Sequence, residues 1–231
     1  MAYPPSCNTT KPHLTLGEDG ALYLAWTTND NKRYLYRDIH CMRSNDGGRS
    51  WERLNAAPLT LPVVADDAGP TDRISLDDEF EVHTWLSSMS TQGGKLHFAY
   101  LAQFPATPRQ HYMRFGLGGE REIDLAPEFR GESLRVASLD GFFTEEQDTL
   151  FYTSQYGGHL VTLRSADKGA TWKDHARSEV AFSPYAIGGA RRTARGHVLG
   201  TFTNTPANVT PQLYLLRVST KGPREETTAT R

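Results

Sequence analysis

A unit of about 50 residues recurs four times along this chain of 231 residues, and the repeat constrains the fold more than any other feature. Each unit contains an apolar stretch typical of a second strand. The equivalent positions of these stretches are 22, 96, 150 and 198, which gives steps of 74, 54 and 48 residues. The first step is long because residues 55 to 82 contain an insertion. A four-stranded propeller blade has a repeat of about this length. The sequence therefore predicts an all-β fold, a β-propeller built from four-stranded antiparallel blades.

An arginine near the end of each predicted third strand gives a second marker of the repeat. The four arginines are Arg43, Arg114, Arg164 and Arg217, at steps of 71, 50 and 53 residues. Because two independent markers give nearly the same period, we interpret the repeats as blades of one propeller domain that spans 1–231. The blades are predicted at 11–55, 81–125, 134–176 and 184–219, and residues 220–231 form a polar tail.

The individual strands follow from the same alignment. First strands are expected over 13–16, 83–86, 135–139 and 185–187, and fourth strands over 50–54, 121–125 and 171–175. The fourth blade lacks a good outer strand and is predicted to be incomplete. Four blades are the low end for a closed propeller. We therefore expect the chain to be part of a six-bladed ring or to complete its propeller as a homo-oligomer; a β-sandwich with coincidental spacing is the alternative fold.

Composition narrows the classes of partner. The chain has 25 basic and 27 acidic residues, and no long block of one sign, so neither nucleic acid nor a membrane is an expected partner. The N-terminus lacks the basic start and apolar core of a signal peptide, which predicts a cytoplasmic protein as given, or a secreted one if the N-terminus is truncated. Cys7 and Cys41 show no zinc-binding spacing, and Cys41 is expected in the core.

Two hairpins match the pattern Ser-x-Asp-x-Gly-x-Ser/Thr-Trp, known as the Asp box. In this pattern the aspartate can accept bonds from backbone N–H groups of its own turn, the glycine can adopt positive φ, and the tryptophan can bury its ring between sheets. We therefore predict structural and not catalytic roles for both boxes. They comprise Ser44, Asp46, Gly48, Ser50 and Trp51, and Ser165, Asp167, Gly169, Thr171 and Trp172.

The alternation of strand direction separates the two ends of each blade. The Asp boxes lie between third and fourth strands, at the same end as the turns between first and second strands. We call this end the box end. The loops between second and third strands and the connections between blades lie at the opposite end, which we call the loop end. Because the wider loops gather there, the loop end is the predicted functional face.

The boxes and the blade period resemble those of the sialidase superfamily and related BNR-repeat proteins that process glycans, and the resemblance covers nearly the whole chain. It implies a carbohydrate partner. Sialidases of this family bind the substrate carboxylate with three arginines and attack through a tyrosine polarised by a glutamate, with an aspartate as acid/base. On this resemblance and on loop position, the candidate catalytic residues are Tyr156, Glu81 and Asp72, and the candidate substrate-binding residues are Arg37, Arg73, Arg109, Arg130 and His83.

Three functions follow from the resemblance. Exo-α-sialidase-like glycoside hydrolysis is the leading enzymatic hypothesis. The family's Arg-Ile-Pro motif is missing before the first box, and its nearest likeness is Asp72-Arg73-Ile74-Ser75 after that box. This departure favours a non-catalytic propeller that binds carbohydrate or protein. A polysaccharide lyase, in which a histidine and a tyrosine move protons beside a uronic acid, is the third hypothesis, with candidates His83, His97, His111 and Tyr112.

The insertion after the first blade concentrates acidic residues between Asp66 and His83. Paired acids can carry out acid/base chemistry or bind calcium through several oxygens. No EF-hand spacing is present, and a solvated acidic loop is the structural alternative. We predict no cofactor, with calcium as the one candidate metal.

Overall fold

The computed structural model of the chain describes residues 7–30, 35–64, 69–76, 82–103, 108–124, 129–182, 184–192, 198–204, 210 and 212–218. These residues form seventeen strands in four antiparallel sheets, and none of them is helical. The four sheets are the blades of a β-propeller, so the predicted fold class is confirmed. No helix within the described part of the chain is long and apolar enough to cross a membrane.

The strands follow the predicted order within each blade. The first blade contains β1 (Cys7–Leu16), β2 (Leu22–Asp30), β3 (Leu35–Ser44) and β4 (Trp51–Glu52), and the insertion adds β5 (Pro58–Leu59) and β6 (Asp72–Arg73). The second contains β7 (His83–Gln92), β8 (Lys95–Gln103), β9 (Arg109–Gly116) and β10 (Arg121–Asp124). The third contains β11 (Phe142–Glu146), β12 (Thr149–Tyr156), β13 (His159–Ser165) and β14 (Lys173–Arg177), and the fourth contains β15 (Pro184–Arg192), β16 (Val198–Asn204) and β17 (Gln212–Val218).

The first strand of the third blade differs from the prediction of 135–139. It begins at Phe142 and reaches β12 through a tight turn at Gln147, whose φ is 52°. Phe142 and Phe143 are neighbours on a strand, so their rings face opposite sides and fill the layers on both faces of the blade. Arg135 instead forms an isolated bridge with Arg130.

The insertion completes the sheet of the first blade. The outer strand β4 has two residues and pairs with β3 only near Arg43. The strand β6 takes the remaining edge of β3, where Arg73 pairs with His40 and Asp72 with Cys41. This pairing matters for the site because it brings Arg73 Nη1 within 4.0 Å of the carboxylate of Asp38 on β3.

The core consists of three layers between neighbouring blades. The layer between the first two blades contains Ile39, Cys41, Leu86 and Phe98, all fully buried. Cys41 is the small core residue that its position predicts, and burial raises the pKa of its thiol. A second layer lies between blades two and three, and a smaller one between blades three and four. A fourth apolar cluster lies on the face of the first blade that points away from the second blade.

An arginine clamp joins the first blade to the second. Arg43, the repeated arginine of β3, donates from Nε to Glu52 Oε1 of its own blade at 2.8 Å. Its Nη1 donates to the carbonyl oxygen of Leu117 at 3.0 Å, in the turn between β9 and β10 of the next blade.

The same clamp joins the second blade to the third. Arg114 donates from Nε to Glu122 Oε2 at 3.0 Å and from Nη1 to the carbonyl oxygen of Lys168 at 2.7 Å. In these two blades the repeated arginine therefore holds the third strand to the fourth and reaches the turn between the third and fourth strands of the following blade.

Both Asp boxes are closed by the same bonds within their turns. Asp46 accepts the backbone N–H of Ser50 at 2.9 Å and its hydroxyl at 2.6 Å. Asp167 accepts the equivalent pair from Thr171 at 2.8 and 2.6 Å. The Ser50 bonds lower the pKa of Asp46 to about 2. Each carboxylate is thus engaged in building its own hairpin.

Candidate functional site

An aromatic cluster lies at the loop end, where the first two blades meet. It consists of Tyr36 near the start of β3 and His83 and Trp85 at the start of β7, and all three are partly exposed. His83 and Trp85 are two residues apart on one strand, so they share a side. Their rings stack at 5.2 Å between centroids with planes 6° apart. The ring of Tyr36 lies 5.5 Å from that of Trp85 and 6.0 Å from that of His83.

A backbone hydrogen bond fixes the proton of His83. The N–H of Tyr36 donates to His83 Nδ1 at 3.2 Å, so Nδ1 acts as the acceptor and the neutral ring carries its proton on Nε2. Burial lowers the pKa of His83, which favours this neutral form. The lone pair of Nδ1 is already used within the protein. His83 is thereby suited to donating a hydrogen bond from Nε2 and not to abstracting a proton at Nδ1.

Two arginines share one buried carboxylate, that of Asp38, which follows Tyr36 by two residues on β3. Asp38 is 1% exposed, and its Oδ2 lies 3.5 Å from Arg37 Nε while its Oδ1 lies 4.0 Å from Arg73 Nη1. The side chains of Arg37 and Arg73 are 11% and 30% exposed. Two guanidinium groups flank this one carboxylate. Guanidinium groups are planar donors whose geometry matches that of a carboxylate or a phosphate.

Three of the four lyase candidates lie in the interior. His97 and Tyr112 are fully buried and joined by a bond of 2.7 Å between Nδ1 and the phenol oxygen. Burial lowers the pKa of His97 to about 4 and raises that of Tyr112. His111 is also fully buried, stacked on Tyr100 at 4.7 Å. A polymer outside the propeller cannot reach these groups, which leaves His83 as the accessible histidine among the four.

The two described candidate catalytic residues, Asp72 and Tyr156, lie in different blades, the first and the third. The carboxylate of Asp72 accepts bonds from Arg53 Nη2 and from the backbone N–H of Leu54, both at 2.7 Å, which ties it into the edge of the first blade. Tyr156 is 44% exposed at the loop end of the third blade and precedes a turn whose two glycines, Gly157 and Gly158, have positive φ. No hydrogen bond joins Tyr156 to a carboxylate among the described residues. Glu81 lies outside them, so these catalytic roles remain predictions.

The candidate binding residues fall into two groups. Three of them lie near the loop end of the first junction: Arg37 and Arg73 flank Asp38, and His83 packs against Tyr36 and Trp85. Arg109 begins β9 at the loop end of the second blade and is partly buried. Arg130 is exposed in the connection between blades two and three, in the bridge described above. The strongest grouping is therefore at the first junction.

Sequence reasoning missed two residues of this grouping. Trp85 follows His83 by two positions on a predicted inner strand, and this spacing is the signal that places both rings on one side. Asp38 adopts a φ of 55°, which is uncommon for a residue other than glycine, and its burial depends on the pairing of β3 with β6. That pairing has no signal in the local sequence.

The described residues form no cluster of metal-binding side chains. Across the described ranges, no group of three or more histidine, cysteine, aspartate or glutamate side chains gathers to hold an ion. Most acids of the insertion, at 66–67, 77–79 and 81, lie outside those ranges, so calcium binding there stays a prediction. A cavity of about 270 Å³ at the box end is lined by Arg164, Ala166, Asp167, Thr171 and Lys173, and is therefore remote from the aromatic cluster.

Several solved structures share this fold. An ulvan lyase of polysaccharide lyase family PL25 superposes with a TM-score of 0.66 at 15% identity, over 93% of this chain and 54% of that one. The same lyase bound to -[GlcA(1-4)Rha3S]- gives a TM-score of 0.65 at 15% identity, over 91% and 53%. The sialidase of Trypanosoma rangeli in complex with sialic acid gives 0.60 at 12% identity, over 93% and 36%.

These likenesses concern the fold alone, because the sequence identities are low. The chain spans about half the length of the ulvan lyase chains that it matches. No protein-family model and no curated protein matches the sequence. The chain is therefore similar in fold to propellers of both the polysaccharide lyase and sialidase types.

Proposed function

We propose that this chain belongs to a glycan-processing propeller whose loop end binds a sugar that carries a carboxylate. The observation that carries the proposal is that the loop end of the first blade holds both the aromatic cluster and the two arginines that share the buried Asp38. Sugars stack on aromatic faces, and guanidinium groups pair with carboxylates in a planar, directional way. Residues of both kinds lie on β3 and on the strands β6 and β7 that contact it, which supports the proposal.

Each residue has a distinct part in this proposal. Trp85, stacked on His83, offers the larger partly exposed ring for a sugar face. His83 donates from Nε2 to a sugar oxygen. Arg73 pairs with the ligand carboxylate, because it is the more exposed of the two arginines and lies farther from Asp38. Arg37 and Asp38 form an ion pair, and Arg73 lies beside its carboxylate.

The solved structures of similar fold support the ligand class. The ulvan lyase is bound to a segment containing glucuronic acid, and the trypanosomal sialidase to sialic acid. Both sugars carry a carboxylate.

Hydrolysis of a sialoside-like substrate is the second candidate function, and the exposure of Tyr156 at the loop end favours it. Lyase chemistry is less well supported, because His97, His111 and Tyr112 are buried and the Nδ1 atom of His83 is engaged. Binding without catalysis requires only the first junction. We therefore propose the class of ligand, and an activity assay identifies the reaction.

Calorimetric titration with a sialyl oligosaccharide, a glucuronate-containing oligosaccharide and a neutral oligosaccharide tests the ligand class. We expect the acidic ligands to bind more tightly than the neutral one. Arg73→Ala is expected to weaken acidic ligands by roughly 10-fold or more, because a charge-assisted bond is lost. Arg49→Ala is the matched control, since Arg49 is exposed in the first Asp box at the opposite end. Equal affinity for neutral and acidic sugars, or equal losses in the two variants, would contradict the proposal.

The reaction is tested on the same protein with a fluorogenic sialoside and with a uronate polymer followed by ultraviolet absorbance of an unsaturated product. Tyr156→Phe keeps the ring and removes the hydroxyl, so it should abolish sialoside hydrolysis and leave binding unchanged. Turnover that survives in this variant would exclude Tyr156 as the nucleophile. Binding without turnover of either substrate identifies a binding propeller.

A further inference from the structure

The fourth blade presents an apolar face of the kind that other blades bury. On each third strand, the side chains two and four residues before the repeated arginine point toward the next blade. In the first blade these are Ile39 and Cys41, which precede Arg43 and are fully buried against the second blade. In the fourth blade Leu213 and Leu215 hold these positions on β17, and they are 73% and 70% exposed. We call this surface the leading face of the fourth blade.

The first blade presents the opposite half of the same interface. Leu14 and Leu16 on its inner strand β1 are 62% and 66% exposed. Their cross-strand partners are Leu24 and Leu22, which align with Phe98 and Leu96 of the second blade. The residues paired there are Met89 and Thr91 on β7, both buried against the first blade. We call the surface formed by Leu14 and Leu16 the trailing face of the first blade.

The established junctions indicate how these two faces fit. At the first junction the inner strand β7 packs against the third strand β3 of the preceding blade. The exposed leucines of this chain lie on the corresponding elements, a third strand at one end and an inner strand at the other. Among the described strands, none of the fourth blade packs against the first blade as neighbouring blades do.

We propose that the leading face of the fourth blade docks on the trailing face of the first blade of a second copy of this chain. The second copy is the favoured occupant because the interface continues one that the chain already builds three times between its own blades. Two copies joined head to tail make two identical junctions and close a ring of eight blades. Eight blades are within the range of known propellers, and closure by a twofold axis prevents open filaments.

The arginine clamp extends across this junction. Arg217 holds in the fourth blade the position of Arg43 and Arg114, whose Nη1 atoms donate to a carbonyl in the next blade. In the second copy the corresponding turn is the first Asp box, and Gly47 aligns there with Lys168 of the second box. At this junction the carbonyl oxygen of Gly47 in the second copy accepts a hydrogen bond from the guanidinium group of Arg217.

The insertion limits the contact to the inner half of the trailing face. Val63 and Leu59 pack on Trp26 and Met42, so the chain itself covers the outer half of that face. The exposed strip at Leu14 and Leu16 is the half nearest the propeller axis. It is therefore the part that remains to receive the third strand of the second copy.

Sedimentation of the whole chain and of two double variants tests the proposal. The wild type is expected to be a dimer. Leu14→Asp/Leu16→Asp and Leu213→Asp/Leu215→Asp are each expected to be monomers, because each loses one of the two faces. A mixture of the two variants should form a heterodimer, since each variant retains the face that the other lacks. Val180→Asp is the control, because Val180 is 63% exposed outside both faces and should leave the dimer intact.

Complementation in the mixture separates a head-to-tail junction from a symmetric contact between like faces. A wild-type monomer at tens of micromolar protein would overturn the proposal, as would a dimer that neither double variant disrupts. Circular dichroism in the near ultraviolet establishes that each variant is folded. Arg217→Ala should weaken the dimer by roughly 10-fold, the loss expected for one charge-assisted bond.

Discussion

The two Asp boxes share the bonds made by their aspartate and hydroxyl residues, but their tryptophans have different surroundings. In the first, Trp51 is partly exposed, donates from its indole N–H to the carbonyl of Gly48 at 3.2 Å, and packs near Leu59 and Val63 of the insertion. In the second, Trp172 is 7% exposed between two blades. Its ring meets those of Tyr112 and Phe129 edge to face, at 5.1 and 4.8 Å between centroids.

This difference separates what the turn determines from what the neighbouring blade determines. The aspartate and hydroxyl bonds depend only on residues inside the hairpin, so they are the same in both boxes. The contribution of the tryptophan to stability, by contrast, depends on the side chains that its ring contacts. Two hairpins that match the same sequence pattern therefore contribute differently to the stability of the fold.

Replacing the two tryptophans should give the largest difference. Trp172→Ala is expected to lower the free energy of unfolding by about 3–5 kcal/mol, because a buried ring between two blades is lost. Trp51→Ala should cost about 1–2 kcal/mol, since that ring is already partly exposed. Urea unfolding followed by circular dichroism measures both values. Equal losses would mean that the neighbouring blade adds nothing to the box.

The box glycines offer a second, smaller contrast. Gly169 has a φ of 82°, and a Cβ there would overlap the hydroxyl of Tyr112, so Gly169→Ala should cost about 2–3 kcal/mol. Gly48 has a φ of 91°, but its nearest side chains, Leu22 and Trp51, lie at 3.9 Å, and Gly48→Ala should cost about 1 kcal/mol.

Adding Tyr112→Phe to Gly169→Ala sharpens this test. The second substitution removes the overlapping hydroxyl, so the double variant should lose less stability than the sum of the two single variants. Strict additivity would show that backbone strain alone accounts for the cost. Thermal unfolding of the three variants supplies the comparison.

The acid dependence of the boxes should be the smallest effect. The Ser50 bonds lower the pKa of Asp46 to about 2; burial raises the pKa of Asp167, but its Thr171 bonds outweigh that and the net shift is downward. A carboxyl group whose folded pKa lies below its unfolded value of about 3.9 stabilises the fold above that pH and loses this contribution as the pH falls toward the folded pKa.

Asp46→Asn and Asp167→Asn should therefore lower the melting temperature at neutral pH, and their difference from the wild type should shrink from about pH 4 toward pH 2. Melting curves over this range provide the measurement. A difference that stays constant down to about pH 2 would show that the charge of these groups is unimportant to the turn.

The blade architecture could be predicted from the sequence because it follows from local patterns. The apolar stretches at Leu22 and Leu96 and the arginines at Arg43 and Arg114 set the period, and the structure places each on the expected strand. The error at 135–139 had a physical origin. The alternation of residues over 135–139 is typical of a strand. Phe142 and Phe143, which begin β11, are buried on opposite faces of the blade, so they show no such alternation.

The candidate site was predicted only in part, because it is built from contacts that are distant in sequence. Arg37, Arg73 and His83 were identified by their positions in loops and connections. Their grouping depends on the pairing of β6 with β3 and on the bond from Tyr36 to His83, which are long-range events. No period in the sequence encodes such contacts.

The arginine clamp has a consequence for how the chain opens under native conditions. In the third blade Arg164 lies opposite Lys173, whereas Arg43 of the first blade lies opposite Glu52, so this position carries a like charge in the third blade. Among the described residues, the apolar layer between the third and fourth blades is also the smallest of the three. In the monomeric Leu14→Asp/Leu16→Asp variant, amide hydrogen exchange should therefore be graded along the chain, with the strands of the fourth blade exchanging as a separate low-energy unit before the first three.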